Sequence, residues 1–201
     1  MPSVSGPCPY DEPMEHIEIS DVFCRPERPG EEAVVRAVVA DAFVNEPVVA
    51  DLVDALRPSP DWIDGLSFVA ELDGHVVAHI LFTRALLDAP PRLVEVLDLG
   101  PVGVASAYQG RGIGSALVRY GLEQVRRRSE PLVFLEGDPA FYSRFGFEEG
   151  RRFGFRRPSL RITEEGFQVI RLPSYEPWMT GTLVYSRVFW DLDCVGLREP
   201  Q

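Results

Sequence analysis

The sequence predicts a mixed α/β fold, and three observations carry this prediction. Hydrophobic and polar residues alternate through 66–82 on both sides of Asp73-Gly74, a dipeptide that favours a two-residue hairpin turn. Residues 102–128 change from a strand pattern, through a glycine-rich loop, to the spacing of an amphipathic helix. A hydrophobic run at 131–136 then predicts the strand that completes a strand–loop–helix–strand unit.

The size and composition of the chain indicate one globular domain. Its 201 residues are 45% hydrophobic and 25% charged. No hydrophobic run approaches the ~18 residues of a membrane span, and the first residues lack the basic and apolar regions of a secretory signal. We therefore expect a cytoplasmic protein with no membrane partner.

Cysteine and histidine are too sparse to predict a metal site. Cys8, Cys24 and Cys194 lie far apart in the sequence, so neither a disulfide framework nor a zinc site follows from their spacing. The three histidines are too few for a metal centre and more simply occupy ordinary structural positions. We expect no metal and a reducing compartment.

The net charge of −11 is unevenly distributed. All twenty basic residues are arginine, against thirty-one acidic residues. Residues 1–100 hold 19 acidic and 6 basic side chains, whereas residues 101–201 hold 12 and 14. The acidic balance argues against a nucleic-acid-binding protein, which needs a basic surface. An anionic ligand is expected to bind the second half of the chain.

The N-terminal part predicts a tail, a strand and two helices. Residues 1–15 are rich in proline, glycine, serine and acidic residues and predict a flexible tail. Weak alternation predicts a first strand at 16–25, and helical spacing predicts helices at 31–44 and 48–56. Eight acidic residues of this region would line an entrance for a cationic ligand or, more simply, form a solvated helical surface: Asp41, Glu46, Asp51, Asp54, Asp61, Asp64, Glu71 and Asp73.

The remaining elements alternate between strands and helices. A strand at 94–104 is expected to be interrupted at Gly100-Pro101, because proline has no N–H to donate to a sheet. A helix follows at 112–128, and Asp138 caps a short helix at 139–145. Strand-like runs at 167–172 and 183–190 predict a β-rich C-terminal part. The strand at 183–190 would pair with a second chain or close its own sheet, so both a monomer and a homodimer stay open.

The glycine-rich loop predicts an anion site. Glycines let successive N–H groups converge on one anion, and the N-terminus of the following helix adds its dipole. A Walker loop needs lysine, which this chain lacks, and a dinucleotide fingerprint needs glycine where Ser115 stands. Both mismatches disfavour a nucleotide-dependent oxidoreductase or NTPase. Five arginines and a single glutamate between residues 101 and 129 agree with an anionic ligand. The run at 126–128 either complements the helix dipole or contacts a phosphate.

Two motifs together resemble a known family. Gln109-x-x-Gly112-x-Gly114, after a strand ending at Val104, resembles motif A of the GNAT superfamily of acetyl-CoA-dependent N-acetyltransferases. Tyr142, four residues before Gly146-Phe147, resembles the later helix of that family, and residues 135–147 look particularly like its bacterial YhbS-like branch. The resemblance implies a mixed, mostly antiparallel central sheet flanked by helices and splayed at the cofactor site. Residues 16–150 would form the acyl-CoA-binding catalytic core, and 151–201 a β-rich extension of the same domain.

The resemblance also implies which residues bind acetyl-CoA, the co-substrate of the family. Extended backbone at Val102, Gly103 and Val104 would pair with the pantetheine amides as an extra strand does. The loop and the first turn of the helix would hold the pyrophosphate through Gln109, Gly110, Arg111, Gly112, Ile113, Gly114 and Ser115.

Three side chains are candidates for catalysis. By resemblance, Tyr142 is the general acid that protonates the leaving thiolate; its alternative role is a packed aromatic ring. Glu95 and Asp98 are candidates for the base, and bulk water stays a third. Three positions separate the two acids, so on a regular strand they face opposite sides and only one points into the cleft. On a regular strand Asp98 would face the same side of the sheet as Val102 and Val104, unless a bulge at Gly100-Pro101 changes the alternation.

The function that these patterns imply is an acyl-CoA-dependent N-acyltransferase. It would transfer acetyl from acetyl-CoA to a primary amine by direct attack in a ternary complex. The alternative is a non-catalytic acyl-CoA-binding sensor or regulatory module, which would keep the glycine loop without depending on Tyr142. The sequence does not identify the acceptor amine.

Overall fold

The computed structural model describes residues 21–196, and within them nine strands form one sheet flanked by five helices. The predicted tail at 1–15 lies outside the described residues, as does the first part of the strand predicted at 16–25. The strands are β1 Phe23–Pro26, β2 Ser67–Leu72, β3 His75–Asp88, β4 Leu93–Val104, β5 Leu132–Glu136, β6 Glu148–Glu149, β7 Phe155–Arg156, β8 Phe167–Arg171 and β9 Gly181–Val184. The helices are α1 Glu32–Ala42, α2 Val48–Leu56, α3 Ile113–Val125, α4 Pro139–Tyr142 and α5 Arg187–Asp191.

The sheet is mixed and mostly antiparallel, which confirms the predicted fold class. The main order of strands is β1-β2-β3-β4-β5-β8-β6, with β9 added to β3 and β7 added to β9. The β4–β5 and β7–β9 pairs are parallel, and the other pairs are antiparallel. The order places the parallel β4–β5 pair in the middle of the sheet, where its ladder joins only two residue pairs.

The hairpin between β2 and β3 has the predicted turn. Asp73 and Gly74 both have positive φ, 50° and 77°, as a type I′ turn requires. Strand β3 runs past the predicted end at residue 82 to Asp88, because its second half has a further partner in β9. The long β3 therefore ties the C-terminal part of the chain to the central sheet.

The strand predicted at 183–190 is wrong in its second half. Strand β9 ends at Val184, and α5 begins at Arg187. Ser186 causes the change, because its hydroxyl caps the helix by accepting a hydrogen bond from the Val188 N–H. Strand β9 pairs with β3 and β7, so this segment closes its own sheet. The choice between monomer and homodimer stays a prediction.

The two faces of the sheet carry different helices. Ile80 and Phe82 on β3 face α3, where they lie so close to Gly121 that a Cβ there would overlap both side chains. Leu81 lies on the opposite face and packs with residues of α2. Helix α1 lies on that second face as well, with Ala42 against the backbone of Gly103. None of the helices within residues 21–196 is long and apolar enough to cross a membrane.

A buried polar chain runs through the second face of the sheet. His79 is fully buried, and its Nε2 lies 2.9 Å from the Ser67 hydroxyl. That hydroxyl donates to Glu27, which in turn pairs with Arg57 at 2.7 Å. Burial and the charge of Arg57 lower the pKa of His79 to about 3, so the imidazole is neutral near pH 7.

His79 is expected to make the fold sensitive to acid. The histidine of the unfolded chain has a pKa near its usual 6.5, so the unfolded state binds more protons than the folded state between pH 6.5 and about 3. The free energy of unfolding should therefore fall by ~1.4 kcal/mol for each pH unit below 6.5. Denaturant titrations at several pH values should show this slope, and His79→Gln should reduce it.

The exposed His75 on the same strand provides the control. His75→Gln should keep the wild-type dependence of stability on pH. If His79→Gln and the wild type show the same slope, the buried imidazole does not determine acid sensitivity.

Candidate active site

Strands β4 and β5 separate after a very short ladder. The parallel pairing joins only Leu97 to Val133 and Asp98 to Phe134. Beyond that point, residues 99–104 pair with β3, and β5 pairs with β8 on its other side. Backbone amides of β4 that face the opening are free to pair with an extended ligand as an additional strand would. This opening is the splay that the sequence predicted.

A β-bulge lies at the point where the strands separate. The ladder joins Ile80 to Val102 but Phe82 to Leu99, so two residues of β4 oppose one residue of β3. The interruption predicted at Gly100-Pro101 is therefore a bulge within a continuous strand.

The bulge resets the alternation of side chains along β4. Leu97 and Leu99 face α3 before the bulge, and Val102 and Val104 face it after the bulge. Asp98 consequently faces the opposite side from Val102 and Val104. The expectation that Asp98 faces the same side as Val102 and Val104 is wrong, because the extra residue in the bulge reverses the alternation of side chains.

The glycine loop joins the end of β4 to the start of α3. Gly112 has φ of 83° and directly precedes the helix, a conformation that favours glycine. Gly114 lets the first turn approach β4, since a Cβ there would lie 3.2 Å from Val104. The first N–H groups of α3 have no helical partner, and anions bind at such helix ends.

The other predicted cofactor residues surround the same opening. The Gln109 side chain donates to the Val104 carbonyl at 2.9 Å, which fixes the loop to the strand. The Arg111 guanidinium lies 5.8 Å from the centre of the Tyr108 ring. Ile113 is buried, so only its backbone is available to a ligand, while Ser115 is half-buried in the first turn. The remaining predicted positions lie in the loop or at the end of β4: Val102, Gly103 and Gly110.

An arginine-lined groove continues along α3. Arg119, Arg126 and Arg144 line a cavity of about 230 Å³ together with Phe145. The Arg119 and Arg144 guanidinium groups lie over aromatic rings, at 5.4 and 5.0 Å from the ring centres. Arg128, from the same basic run as Arg126, instead pairs with Glu130 at 2.6 Å. The groove offers positive charge to a phosphate beyond the helix N-terminus.

Tyr142 closes α4 at the opening between the strands. Asp138 caps this helix by accepting the Ala140 N–H at 2.8 Å, as predicted. The predicted helix continues past Tyr142 only as a 3₁₀ turn. The Tyr142 ring packs against Phe141, Phe145 and Phe147, and a Cβ at Gly137 would overlap it. Burial, and secondarily the charge of Asp98, raise the pKa of Tyr142 to about 12.

Asp98 is the buried acid of this opening. The residue is 3% exposed, and its Oδ1 has no hydrogen-bond partner within residues 21–196. Burial, and secondarily the charge of Glu136, raise the pKa of Asp98 well above its usual value. Glu95 lies elsewhere: its side chain is 54% exposed and pairs with Arg84 at 2.8 Å. The charge of Asp98 acts on Tyr142 across the opening, whereas Glu95 lies away from it beside Arg84.

Two residues that the sequence did not single out join this group. Glu136 ends β5 and accepts the Gly196 N–H at 3.1 Å. Tyr185 is buried, stacks on Phe189 and has its pKa raised by burial and by the charges of Asp98 and Glu136. Glu136 is an acidic residue at the end of a hydrophobic strand, a sequence feature from which it could have been predicted as a candidate. The sequence around Tyr185 has no comparable feature from which it could have been predicted.

The chemistry available here is proton transfer between carboxyl and phenol groups. Among the residues of the described range, no three His, Cys, Asp or Glu side chains form a cluster able to hold a metal ion. Asp98 forms the last pair of the β4–β5 ladder, and its charge acts on the phenol of Tyr142.

Comparisons with known proteins agree with this geometry. Residues 24–150 match a family model described as an acetyltransferase (GNAT) domain. The uncharacterized N-acetyltransferase YjhQ of Escherichia coli is 40% identical over 103 residues, which are 49% of this chain and 55% of YjhQ. The uncharacterized N-acetyltransferase YhbS of the same organism is 35% identical over 126 residues, covering 61% and 71% of the two chains. The chain thus spans about half the length of YjhQ.

Solved structures extend the likeness to most of the fold. The crystal structure of YhbS from Escherichia coli in complex with CoA has a TM-score of 0.75 and 29% identity, covering 84% of this chain and 92% of that one. A GNAT acetyltransferase from Brucella melitensis in complex with acetyl-CoA has a TM-score of 0.67 and 33% identity, covering 84% and 97%. The chain therefore belongs to the GNAT family of acetyltransferases, in the branch that includes YhbS.

Proposed function

We propose that this protein transfers acetyl from acetyl-CoA to a primary amine by direct attack within a ternary complex. The observation that carries the proposal is the opening between β4 and β5, where Asp98 forms the last pair of the ladder and its charge acts on Tyr142. A general base and a general acid are the two groups that direct transfer from a thioester to an amine requires.

The co-substrate would follow the path from β4 to the arginine-lined groove. The pantetheine amides pair with the backbone of residues 102–104, and the pyrophosphate binds at the N-terminus of α3 after Gly112. The groove beside Arg119, Arg126 and Arg144 receives the nucleotide end. The CoA and acetyl-CoA bound in the two similar solved structures support this assignment.

In the first step, the lone pair of the neutral amine attacks the thioester carbonyl carbon and forms a C–N bond and a tetrahedral intermediate. The Asp98 carboxylate accepts the proton that the nitrogen loses as this bond forms. A carboxylate whose pKa is raised by burial suits this role, because a base is most effective when its pKa lies near the working pH.

In the second step, the intermediate collapses and the C–S bond breaks. The electron pair of that bond leaves with sulfur, and Tyr142 donates its hydroxyl proton to the thiolate. Asp98 is neutral at this stage, so the charge that raises the pKa of Tyr142 is absent and the phenol is a stronger acid. Asp98 finally returns its proton to Tyr142, and the products are the amide and the free thiol of CoA.

The experiment that tests the proposal combines thiol release with binding. Thiol release from acetyl-CoA is measured across a panel of primary amines, and acetyl-CoA binding is titrated in parallel. Amine-dependent thiol release together with N-acetylated product supports the transferase. Binding without turnover on every amine would instead identify the acyl-CoA-binding sensor.

Gly112→Glu should weaken acetyl-CoA binding by at least about 100-fold. The substitution strains a backbone with positive φ and puts a carboxylate where the pyrophosphate binds. Isothermal titration of acetyl-CoA measures the change. Gly30→Glu is a matched control, because Gly30 also has positive φ (90°) but lies in the turn before α1. Equal affinities for the two variants would refute the cofactor loop.

A further inference from the structure

Two acidic side chains lie on the same face of the sheet beside the opening. Val94 and Val96 of β4 and Phe134 of β5 pack on the face opposite α3, and Asp98 and Glu136 continue those rows. Asp98 is paired with Phe134, so Glu136 lies one strand over and two residues further on. Because β4 and β5 separate beyond that pair, the two α-carbons lie at least roughly 8 Å apart.

A third acid reaches this face from the connection between α1 and α2. Burial raises the pKa of Glu136 and that of Cys194, and the charge of Glu46 adds to both rises. Helix α2, which begins two residues after Glu46, packs with α5 in one apolar cluster, so the α1–α2 connection lies beside the C-terminal segment. Arg161 is the basic residue that acts on Glu136, and it is already paired with Asp193 at 2.8 Å. The face consequently carries an excess of negative charge.

Four other acidic residues of the region 41–73 already have partners within the protein. Asp41 accepts the Ser106 N–H at 2.6 Å, and Asp51 and Asp54 both pair with Arg36. Glu71 pairs with Arg25. These acids stabilise the fold through neighbours. Of the two interpretations of this acidic region, the paired surface is favoured for these four, and Glu46 is the acid of the region whose charge acts on Glu136.

Asp98 provides an independent indication of a ligand. Its Oδ1 is buried without a hydrogen-bond partner in the described part of the chain. Buried carboxyl oxygens are almost always hydrogen-bonded, because leaving one unpaired is costly. Asp98 forms the last pair of the β4–β5 ladder with Phe134, so it lies at the edge of the opening between the strands. A donor from a bound molecule would satisfy the free oxygen.

We propose that the acceptor is a primary amine with a second cationic group, held by Glu136 and Glu46 while Asp98 faces the reacting nitrogen. This inference rests on the proposed transferase function. The reacting nitrogen must be neutral to attack, so it belongs at the buried acid that takes its proton. The second group keeps its charge, so it belongs at the partly exposed acids, where water and two carboxylates stabilise an ammonium ion.

Three acceptors of equal chain length test this assignment. Diaminobutane carries a second ammonium group, butylamine ends in a methyl group, and aminobutanoate ends in a carboxylate. The kcat/KM of acetyl transfer is measured for each with saturating acetyl-CoA. We expect diaminobutane to exceed butylamine by at least about 10-fold, and aminobutanoate to be the poorest acceptor.

A variant then identifies the residue that recognises the second charge. Glu136→Gln keeps an oxygen for the Gly196 N–H but removes the charge. It should lower kcat/KM for diaminobutane by about 10-fold more than for butylamine, through KM, and leave acetyl-CoA binding unchanged. The Glu136 charge also acts on Asp98, so an effect through the base is shared by both amines and cancels in this ratio. Asp73→Asn is the control, because it removes one negative charge at the exposed β2–β3 turn, where asparagine tolerates positive φ.

The outcomes separate this inference from the proposed function. If diaminobutane is no better than butylamine, or if Glu136→Gln lowers both equally, the cationic subsite is wrong while the transferase stands. If none of the three amines is acetylated although acetyl-CoA binds, the subsite is also wrong, and the wider amine panel decides the reaction. If acetyl-CoA does not bind, the proposed function itself fails.

Discussion

Asp98→Asn is expected to lower kcat/KM for acetyl transfer by about 10² to 10⁴, the range that a positioned general base contributes. Asparagine has nearly the same shape and fits the same buried site, but it cannot accept the amine proton. Thiol release with a saturating amine measures the loss. Acetyl-CoA affinity should be unchanged, because Asp98 faces away from Val102 and Val104, which border the cofactor path.

The dependence on pH should distinguish a base from a structural carboxyl. Wild-type kcat/KM should fall as the pH drops below the raised pKa of Asp98, since the protonated acid cannot accept a proton. In the pH profile of kcat/KM, Asp98→Asn should lack this fall at low pH. It should keep the part of the profile that is set by ionisation of the acceptor amine. An unchanged profile in the variant would contradict the assignment.

The same substitution should increase stability at high pH. The folded-state pKa of Asp98 lies above the usual 3.8, so the folded state binds more protons than the unfolded state between these two values. The free energy of unfolding therefore falls as the pH rises through that window, and the full penalty of the buried charge acts above it. Asp98→Asn has no such penalty and should unfold at a higher temperature than the wild type at pH 8.

Glu95→Gln provides the matched control on the same strand. Glu95 is largely exposed and paired with Arg84, so its loss should cost less than about 1 kcal/mol of stability and leave kcat/KM within about twofold of the wild type. A large loss of activity in Glu95→Gln, with little loss in Asp98→Asn, would reverse the choice of base.

Sequence patterns predicted the elements whose formation depends on residues close to one another in the chain. Helix α2 has the predicted bounds because its apolar face and the prolines that follow it are sequence features. The Asp73-Gly74 turn and the capped start of α4 were predictable for the same reason, since turn and cap residues act within a few positions. The glycine loop also belongs to this class, because positive φ before a helix is a property of its own residues.

Features that depend on distant partners were not predictable. The bulge in β4 exists because two residues of that strand meet one of β3, so the facing of Asp98 depends on the register with a neighbour. Helix α5 replaces a predicted strand because the single cap Ser186 outweighs the strand propensity of the residues after it. Tyr185 reaches Asp98 only because β9 adds to β3, a pairing between segments almost a hundred residues apart.

The charge of Asp98 couples the two catalytic groups. Asp98 raises the pKa of Tyr142 while it is ionised, and this effect ends when it takes the amine proton. A phenol held near pKa 12 is a poor donor to a thiolate, whose conjugate acid is far stronger. Electrostatics therefore favours one order: once Asp98 holds the amine proton, its secondary contribution to the raised pKa of Tyr142 is removed, while the larger contribution of burial stays.

Tyr142→Phe should consequently lower kcat by about 100-fold and leave the affinity for acetyl-CoA nearly unchanged. Phenylalanine keeps the ring contacts with Phe141, Phe145 and Phe147, so the fold and the opening are preserved. Tyr120→Phe is the control, because that ring packs on Phe68 beneath α3. The loss should shrink with an aryl thioester, whose thiolate leaves without a proton. An equal loss with both thioesters would show that Tyr142 supports the structure and does not protonate sulfur.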